Sequence, residues 1–205
     1  MFRIQGEKNP KKEAARYSKL VMKEVPVENE FPVFDVVLLG AGNDGHTSSI
    51  FPGQEELLST DHIYEANFNP NNGQKRIALT GLPILNARRI IFLITGRVKS
   101  PVVEDIFYSG DTGPAAYIAH HADNVELFMD NAAAEKSHSR IRNKKKRPTF
   151  TGRTFFVLFE YVIYIQQLNS MIIKITTQQN GIRENHFGRI GLSHLNVTYV
   201  IIMTN

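Results

Sequence analysis

The strongest indication of the fold comes from residues 34–53, FDVVLLGAGNDGHTSSIFPG. This stretch opens with an almost wholly apolar run, FDVVLLG, which is typical of a strand buried on both faces of a parallel sheet. The segment 40–46 holds three glycines, an aspartate and a histidine. Because open α/β sheets bind ligands at the carboxyl ends of their strands, this loop is the first candidate for a functional site.

Helix and strand patterns alternate along the chain as far as residue 136. The predicted helices cover residues 10–24 and 99–110 with a helical end at 131–136, and the predicted strands cover residues 34–40, 75–81, 88–96 and 125–130. The segment 54–74 is polar and rich in turn residues, so it is predicted to be irregular. The alternation predicts the α/β class, with a Rossmann-like, mostly parallel sheet flanked by helices.

The charge of the chain divides it into two segments. Residues 1–136 hold 14 Lys and Arg against 18 Asp and Glu, a net −4, whereas residues 137–205 hold 10 against 2, a net +8. This asymmetry predicts a folded domain over 1–136 and an unrelated basic and apolar tail over 137–205. The chain has no cysteine and its charged N-terminus has no long apolar core, so we expect a cytoplasmic protein.

The tail allows three interpretations. Its basic run at 140–147 precedes an apolar run at 154–165, which is too short for a membrane span of roughly 20 residues. The tail is a non-native or disordered extension, a basic patch for nucleic acid or anionic lipid, or an accessory element. The composition favours the first interpretation, so we expect neither a nucleic-acid partner nor a membrane.

The glycines at 40, 42 and 45 spell G-x-G-x-x-G, the pattern of dinucleotide-binding loops. That pattern needs a helix to open at once, and Pro52 and Gly53 follow too soon for a long one. The acidic residue at the expected distance, Asp61, lies in a polar loop instead of ending a strand. No Gly-Lys-Ser/Thr follows, which excludes a P-loop. Dinucleotide binding is therefore disfavoured.

Asp44 and His46 suggest a different chemistry for the loop. Alternate residues of an extended segment point the same way, so both side chains are able to line one cleft. A carboxylate beside an imidazole orients it and raises its basicity, as a general base requires. From spacing alone, a plain surface turn with Asp-Gly punctuation stays an equal alternative.

The complete stretch LLGAGNDGHTSSIFPG resembles the signature of the 6-phosphogluconolactonases. It departs from that pattern mainly at Ser48, where the family has Ala, and at Ile50, where it has Leu. The resemblance continues through RIALTGLPILNARRIIFLITGRVKS and GPAAYIAHHADNVELFMDNAAA, and it covers residues 2–136. The related glucosamine-6-phosphate deaminases share Gly-x-Asp-Gly-His but carry a glutamate where this chain has Phe51.

The resemblance implies hydrolysis of 6-phosphoglucono-δ-lactone. His46 would act as general base, and Asp44 would hold it. Backbone amides of the loop, at Gly42 and Gly45, would bind the substrate and its developing negative charge.

The phosphate of this substrate calls for cations. Arg76 and Lys99 match family positions that resemble phosphate ligands. The implied partner is a small sugar-phosphate lactone, and the reaction needs neither a metal nor another cofactor.

The resemblance begins in the middle of the family's domain. It implies a sheet truncated at its N-terminus, in which half the sheet lacks partner strands and an apolar edge is exposed. Three hypotheses follow: a lactonase polypeptide whose activity alone is uncertain, a deaminase-like isomerase, and an inactive fragment or sugar-phosphate-binding remnant. The sequence leaves the oligomeric state open.

Overall fold

The computed structural model describes residues 2–108, 113–137, 153–159 and 199–201. Its elements are α1 (Pro10–Glu24), β1 (Val27–Glu28), β2 (Phe31–Pro32), β3 (Val36–Leu39), α2 (Glu56–Ser59), β4 (Tyr64–Phe68), β5 (Lys75–Leu79), α3 (Gly81–Leu85), β6 (Ile90–Ile94), a 3₁₀ turn (Arg97–Lys99), α4 (Ser100–Tyr108), α5 (Pro114–His121), β7 (Asn124–Asp130), β8 (Arg153–Phe159) and β9 (Tyr199–Ile201).

Over the described residues, the main sheet has five parallel strands in the order β8-β7-β6-β3-β9. In its centre Val37 pairs with Ile90, and Ile90 pairs in turn with Val125. The helices α4 and α5 connect β6 to β7, which is the crossover that parallel neighbours require. The predicted α/β class, with a Rossmann-like parallel sheet flanked by helices, is confirmed.

The outermost strands, β8 and β9, both come from beyond residue 136. Because β9 pairs with β3, the strand β3 has neighbours on both sides and is not an edge strand in the described part of the sheet. The other tail residues, including the basic run, lie outside the described ranges. The domain boundary at residue 136 stays a prediction.

Burial alternates along β3, in contrast to the predicted strand buried on both faces. Val37 and Leu39 are fully buried, whereas Val36 and Leu38 are half-buried. The buried members of β6 and β7 continue the same face. One face of the sheet therefore contributes the centre of the hydrophobic core.

The strand β5 lies outside the main sheet. It forms an antiparallel hairpin with β4, a strand within the segment that was predicted to be irregular. Helix α1 packs against this hairpin, where Tyr17 and Tyr64 make an edge-to-face contact at 5.0 Å. The hairpin carries Arg76 on β5.

The helix α1 has the predicted bounds. It starts at Pro10 because Asn9 caps it, accepting a hydrogen bond from the Lys12 N–H at 3.2 Å, and proline suits the first helical position. The predicted helical end at 131–136 is wrong, since residues 131–137 form successive turns. Within the described ranges, the structure has no helix with the length and apolar character that a bilayer crossing needs.

Candidate functional site

The loop that follows β3 closes on itself through short hydrogen bonds. The Gly42 N–H donates to the His46 carbonyl at 2.7 Å, and the Gly45 N–H donates to the Gly42 carbonyl at 3.1 Å. The Thr47 hydroxyl reaches back to the Gly40 carbonyl at 2.8 Å. We call residues 40–50 the glycine loop. Its shape follows mainly from contacts between residues that are near in sequence.

Asp44 and His46 form a hydrogen-bonded pair inside this loop. The distance from His46 Nδ1 to Asp44 Oδ1 is 2.6 Å, and the His46 backbone N–H donates to the same oxygen at 3.2 Å. A carboxylate that accepts from Nδ1 selects the tautomer with the proton on Nδ1. Nε2 of a neutral His46 is then an unprotonated base.

The surroundings keep Asp44 charged. Partial burial pushes its pKa upward, but the hydrogen bonds from the His46 N–H and imidazole outweigh burial, and the pKa lies below the ordinary value of an aspartate. The His46 side chain is largely buried, at 11% exposed, whereas that of Asp44 is 35% exposed. The pair therefore combines an ionised carboxylate at the surface with an imidazole in a sheltered position.

Phe51 forms one wall beside His46. Its ring centroid lies 4.4 Å from that of the imidazole, with a tilt of 38° between the rings. Phe51 is buried, so it shelters one side of the base from water. Its hydrocarbon ring has no proton to exchange.

Two glycines shape the loop for different reasons. At Gly42 a Cβ would overlap the imidazole of His46 and the carboxylate of Asp44, so only glycine leaves room for the pair. Gly45 has a φ of 83°, which L side chains rarely adopt, and its carbonyl accepts the Ala115 N–H of α5 at 2.9 Å. Since the amides of both glycines donate within the loop, their contact with substrate stays a prediction.

Lys99 lies against the glycine loop, which carries the predicted site residues Asp44 and His46. Its Nζ donates to the Ala41 carbonyl at 2.8 Å. Partial burial lowers the pKa of Lys99, and the negative charge of Asp44 opposes that shift. The structure thus brings one predicted cation next to the predicted acid–base pair.

Arg76 belongs to the hairpin β4–β5, where it pairs across the strands with Asn67. Cross-strand partners share one face of a hairpin. The Asn67 side chain donates to the Ser49 carbonyl at 2.8 Å, so that face is turned toward the glycine loop. Arg76 is half-buried and makes no ion pair with the side chains of the described ranges. It is therefore a cation available on the loop side of the hairpin.

A tight turn links the loop to this hairpin, and sequence reasoning missed it. Ser48 and Ser49 have φ values of 53° and 62°, and Thr47 and Ile50 exchange two backbone hydrogen bonds around them. Such turns favour Asn and Gly. The serines are retained by tertiary contacts, since the Ser48 hydroxyl donates to the Leu79 carbonyl at 2.7 Å.

Comparisons with known proteins agree on one family. The model of glucosamine-6-phosphate isomerases/6-phosphogluconolactonase matches residues 1–128. The 6-phosphogluconolactonase of Treponema pallidum is 38% identical over 122 residues, covering 60% of this chain and 49% of that protein. The human 6-phosphogluconolactonase is 36% identical over 129 residues, covering 61% and 50%.

Solved structures show the same likeness. The crystal structure of devB protein aligns with a TM-score of 0.62 at 37% identity, covering 66% of this chain and 58% of that one. The 6-phosphogluconolactonase of Trypanosoma brucei aligns with a TM-score of 0.55 at 33% identity, covering 61% and 52%. The chain spans about half the length of the relatives that it matches.

Proposed function

Because the chain belongs to the glucosamine-6-phosphate isomerase/6-phosphogluconolactonase family, we propose that it carries the catalytic loop of a lactonase. The proposed reaction is hydrolysis of 6-phosphoglucono-δ-lactone to 6-phosphogluconate, a step of oxidative pentose phosphate metabolism. The names of the relatives at 36% and 38% identity support this substrate.

His46 acts as the general base of the proposed reaction. With Nδ1 donating to Asp44, Nε2 takes a proton from water as the water oxygen attacks the lactone carbonyl. The bond between the carbonyl carbon and the ring oxygen then breaks, and the ring oxygen takes up the proton. The products are a free hydroxyl and a carboxylic acid, which releases its proton to solvent and becomes a carboxylate. General-base help of this kind contributes about 10²–10⁴-fold in rate.

The two cations bind the phosphate at the far end of the substrate. Lys99 spends one of its three N–H groups on the Ala41 carbonyl, which leaves two for phosphate oxygens. Arg76 offers the planar fork that suits a phosphate. The N–H groups of Gly42 and Gly45 donate to loop carbonyls, so stabilisation of the charge on the substrate's carbonyl oxygen requires these amides to share their protons with it.

One observation carries the proposal: the 2.6 Å contact between Asp44 and a sheltered His46. It is the arrangement of a base and its orienting carboxylate. Phe51, packed on the same imidazole, supports a lactonase over a deaminase, since the deaminases that the sequence resembles carry a glutamate there.

The test is a comparison of three assays on the purified chain. We expect acid release from 6-phosphoglucono-δ-lactone above the spontaneous rate and no ammonia release from glucosamine 6-phosphate. Ammonia release would favour the deaminase-like alternative. Binding of 6-phosphogluconate without turnover of either substrate would favour a sugar-phosphate-binding remnant.

A further inference from the structure

Asp130 is a buried acidic residue that the proposed reaction does not use. It ends β7 and is 8% exposed. Among the side chains that the structure describes, no cation pairs with it. Its oxygens instead accept backbone N–H groups, from Gly96 at 3.0 and 3.1 Å and from Ala133 at 2.7 Å. Because a buried carboxylate is costly unless it is hydrogen-bonded, these contacts explain how it is tolerated.

The Gly96 contact fixes the start of the segment that carries Lys99. Gly96 has a φ of 93°, and its carbonyl accepts the Lys99 N–H at 3.0 Å to close a single 3₁₀ turn. The turn ends where α4 begins, at Ser100. A turn therefore sets the position of Lys99. The first N–H group of that turn, at Gly96, donates to the Asp130 carboxylate.

The residues that follow Asp130 hold the same segment at two further points. Glu135 makes an ion pair with Arg97 at 3.1 Å, and the Lys136 N–H donates to the Ser100 hydroxyl at 2.9 Å. These contacts lie on either side of Lys99 in sequence. Together with Asp130 they clamp the turn against the end of β7.

We propose that Asp130 is a positioning residue that aims Lys99 at the phosphate of the substrate. It touches no substrate and acts through the backbone of residues 96–99. A carboxylate suits this role because its two oxygens accept all the N–H contacts at once, whereas an asparagine would turn an NH₂ group toward the Gly96 or Ala133 N–H. The inference rests on the proposed phosphate-binding role of Lys99.

The experiment is a double-mutant cycle of Asp130→Asn and Lys99→Ala in the full chain. The readouts are KM and kcat for the lactone and, independent of turnover, the Kd of inorganic phosphate. Glu126→Gln is the matched control, because Glu126 lies on the same strand but pairs with Arg89 at the surface. We expect Asp130→Asn to raise KM and Kd about ten-fold, with kcat within about two-fold.

In the Lys99→Ala background, Asp130→Asn should raise Kd and KM no further, since the two changes remove one interaction. Independent losses that multiply, or an unchanged Kd in Asp130→Asn, would overturn the proposal. Absence of phosphate binding by the unaltered chain would overturn it too. Phosphate binding that follows the expected cycle without lactone turnover would refute the proposed reaction and support the positioning role.

A second variant covers the case in which Asp130→Asn fails to fold. Gly96→Ala strains the backbone at a positive φ, while its Cβ would meet no heavy atom within 4 Å. It disturbs the same turn without altering the core. The same rise in Kd, absent in the Lys99→Ala background, is expected; an unchanged Kd would contradict the proposal.

Discussion

The glycine loop and the cation-bearing segments are held in place by contacts of different range. His46 meets Asp44 two residues away, and Gly42 bonds to His46 within one turn of chain. Lys99 reaches Ala41 across 58 residues of sequence, and Gly96 meets Asp130 across 34. The Asp44–His46 pair is thus a local structure, whereas the proposed phosphate end of the candidate site depends on how the fold brings distant segments together.

Asp44→Asn tests the Asp44–His46 pair and has the largest expected effect on activity. We expect kcat for lactone hydrolysis to fall about 10²–10⁴-fold with little change in KM, because a neutral amide neither fixes the Nδ1 tautomer nor stabilises protonated His46. The pKa of Asp44 lies below its ordinary value, so the carboxylate stays ionised from pH 5 to 8 and its own titration adds no pH dependence to the loss. Steady-state kinetics across these pH values measures it.

Asp61→Asn is the control, since Asp61 is an exposed aspartate with 91% of its side chain accessible. A fall in kcat for Asp61→Asn as large as that for Asp44→Asn would contradict the assignment. So would an unchanged kcat for Asp44→Asn.

Gly42→Ala tests whether the Asp44–His46 pair depends on steric room as well as on charge. The new methyl group would displace the Asp44–His46 pair, so we expect kcat to fall about 100-fold or more. Gly6→Ala is matched to it, because a Cβ there would meet no heavy atom within 4 Å. Equal activity of the two variants would show that the pair is not held as tightly as the distances indicate.

Arg76→Ala tests the proposed phosphate-binding cations. Loss of a charge-assisted contact to phosphate should raise KM about ten- to fifty-fold and leave kcat nearly unchanged. The neighbouring Lys75→Ala, at an exposed position, should leave both constants as they are. A fall in kcat at constant KM would instead place Arg76 at the reacting carbonyl. It would contradict the separation between the acid–base pair and the phosphate-binding cations.

Ser48→Ala tests the contact between the glycine loop and the β4–β5 hairpin, and it has the smallest expected effect. It removes the hydrogen bond to the Leu79 carbonyl and should lower the free energy of unfolding by about 1 kcal/mol, measured from urea midpoints. Ser49→Ala controls for the strained turn, because Ser49 is bonded to Asn67 through its carbonyl. If both variants lose the same stability, the backbone of the turn, and not the hydroxyl, makes the link.

The difference in range explains which parts of the fold were predictable. The start of α1 follows from Asn9 and Pro10, which are adjacent in sequence, and the parallel strands follow from apolar runs. The β4–β5 hairpin could not be predicted in this way, because β4 mixes Glu65 and Asn67 with apolar residues and its pairing with β5 is a tertiary contact. Alternating burial in β3 was hidden by its uniformly apolar sequence.

The same holds for the candidate site. The Asp44–His46 contact was predicted from a separation of two residues, but the extended segment assumed for it was wrong, since residues 43–45 form a turn. Lys99 and Arg76 were suggested by resemblance alone, since no local pattern places them beside the loop. The Ser48–Ser49 turn and the role of Asp130 needed the structure, because their partners lie about 30 residues away in sequence.

The most direct test of the account is hydrolysis of 6-phosphoglucono-δ-lactone by the purified chain, measured above the spontaneous rate beside His46→Ala. We predict turnover by the unaltered chain and a loss of about 10²–10⁴-fold in the variant. Turnover that survives unchanged in His46→Ala would contradict the assignment of the base. Absence of turnover in both would contradict the claim that this chain is itself a lactonase.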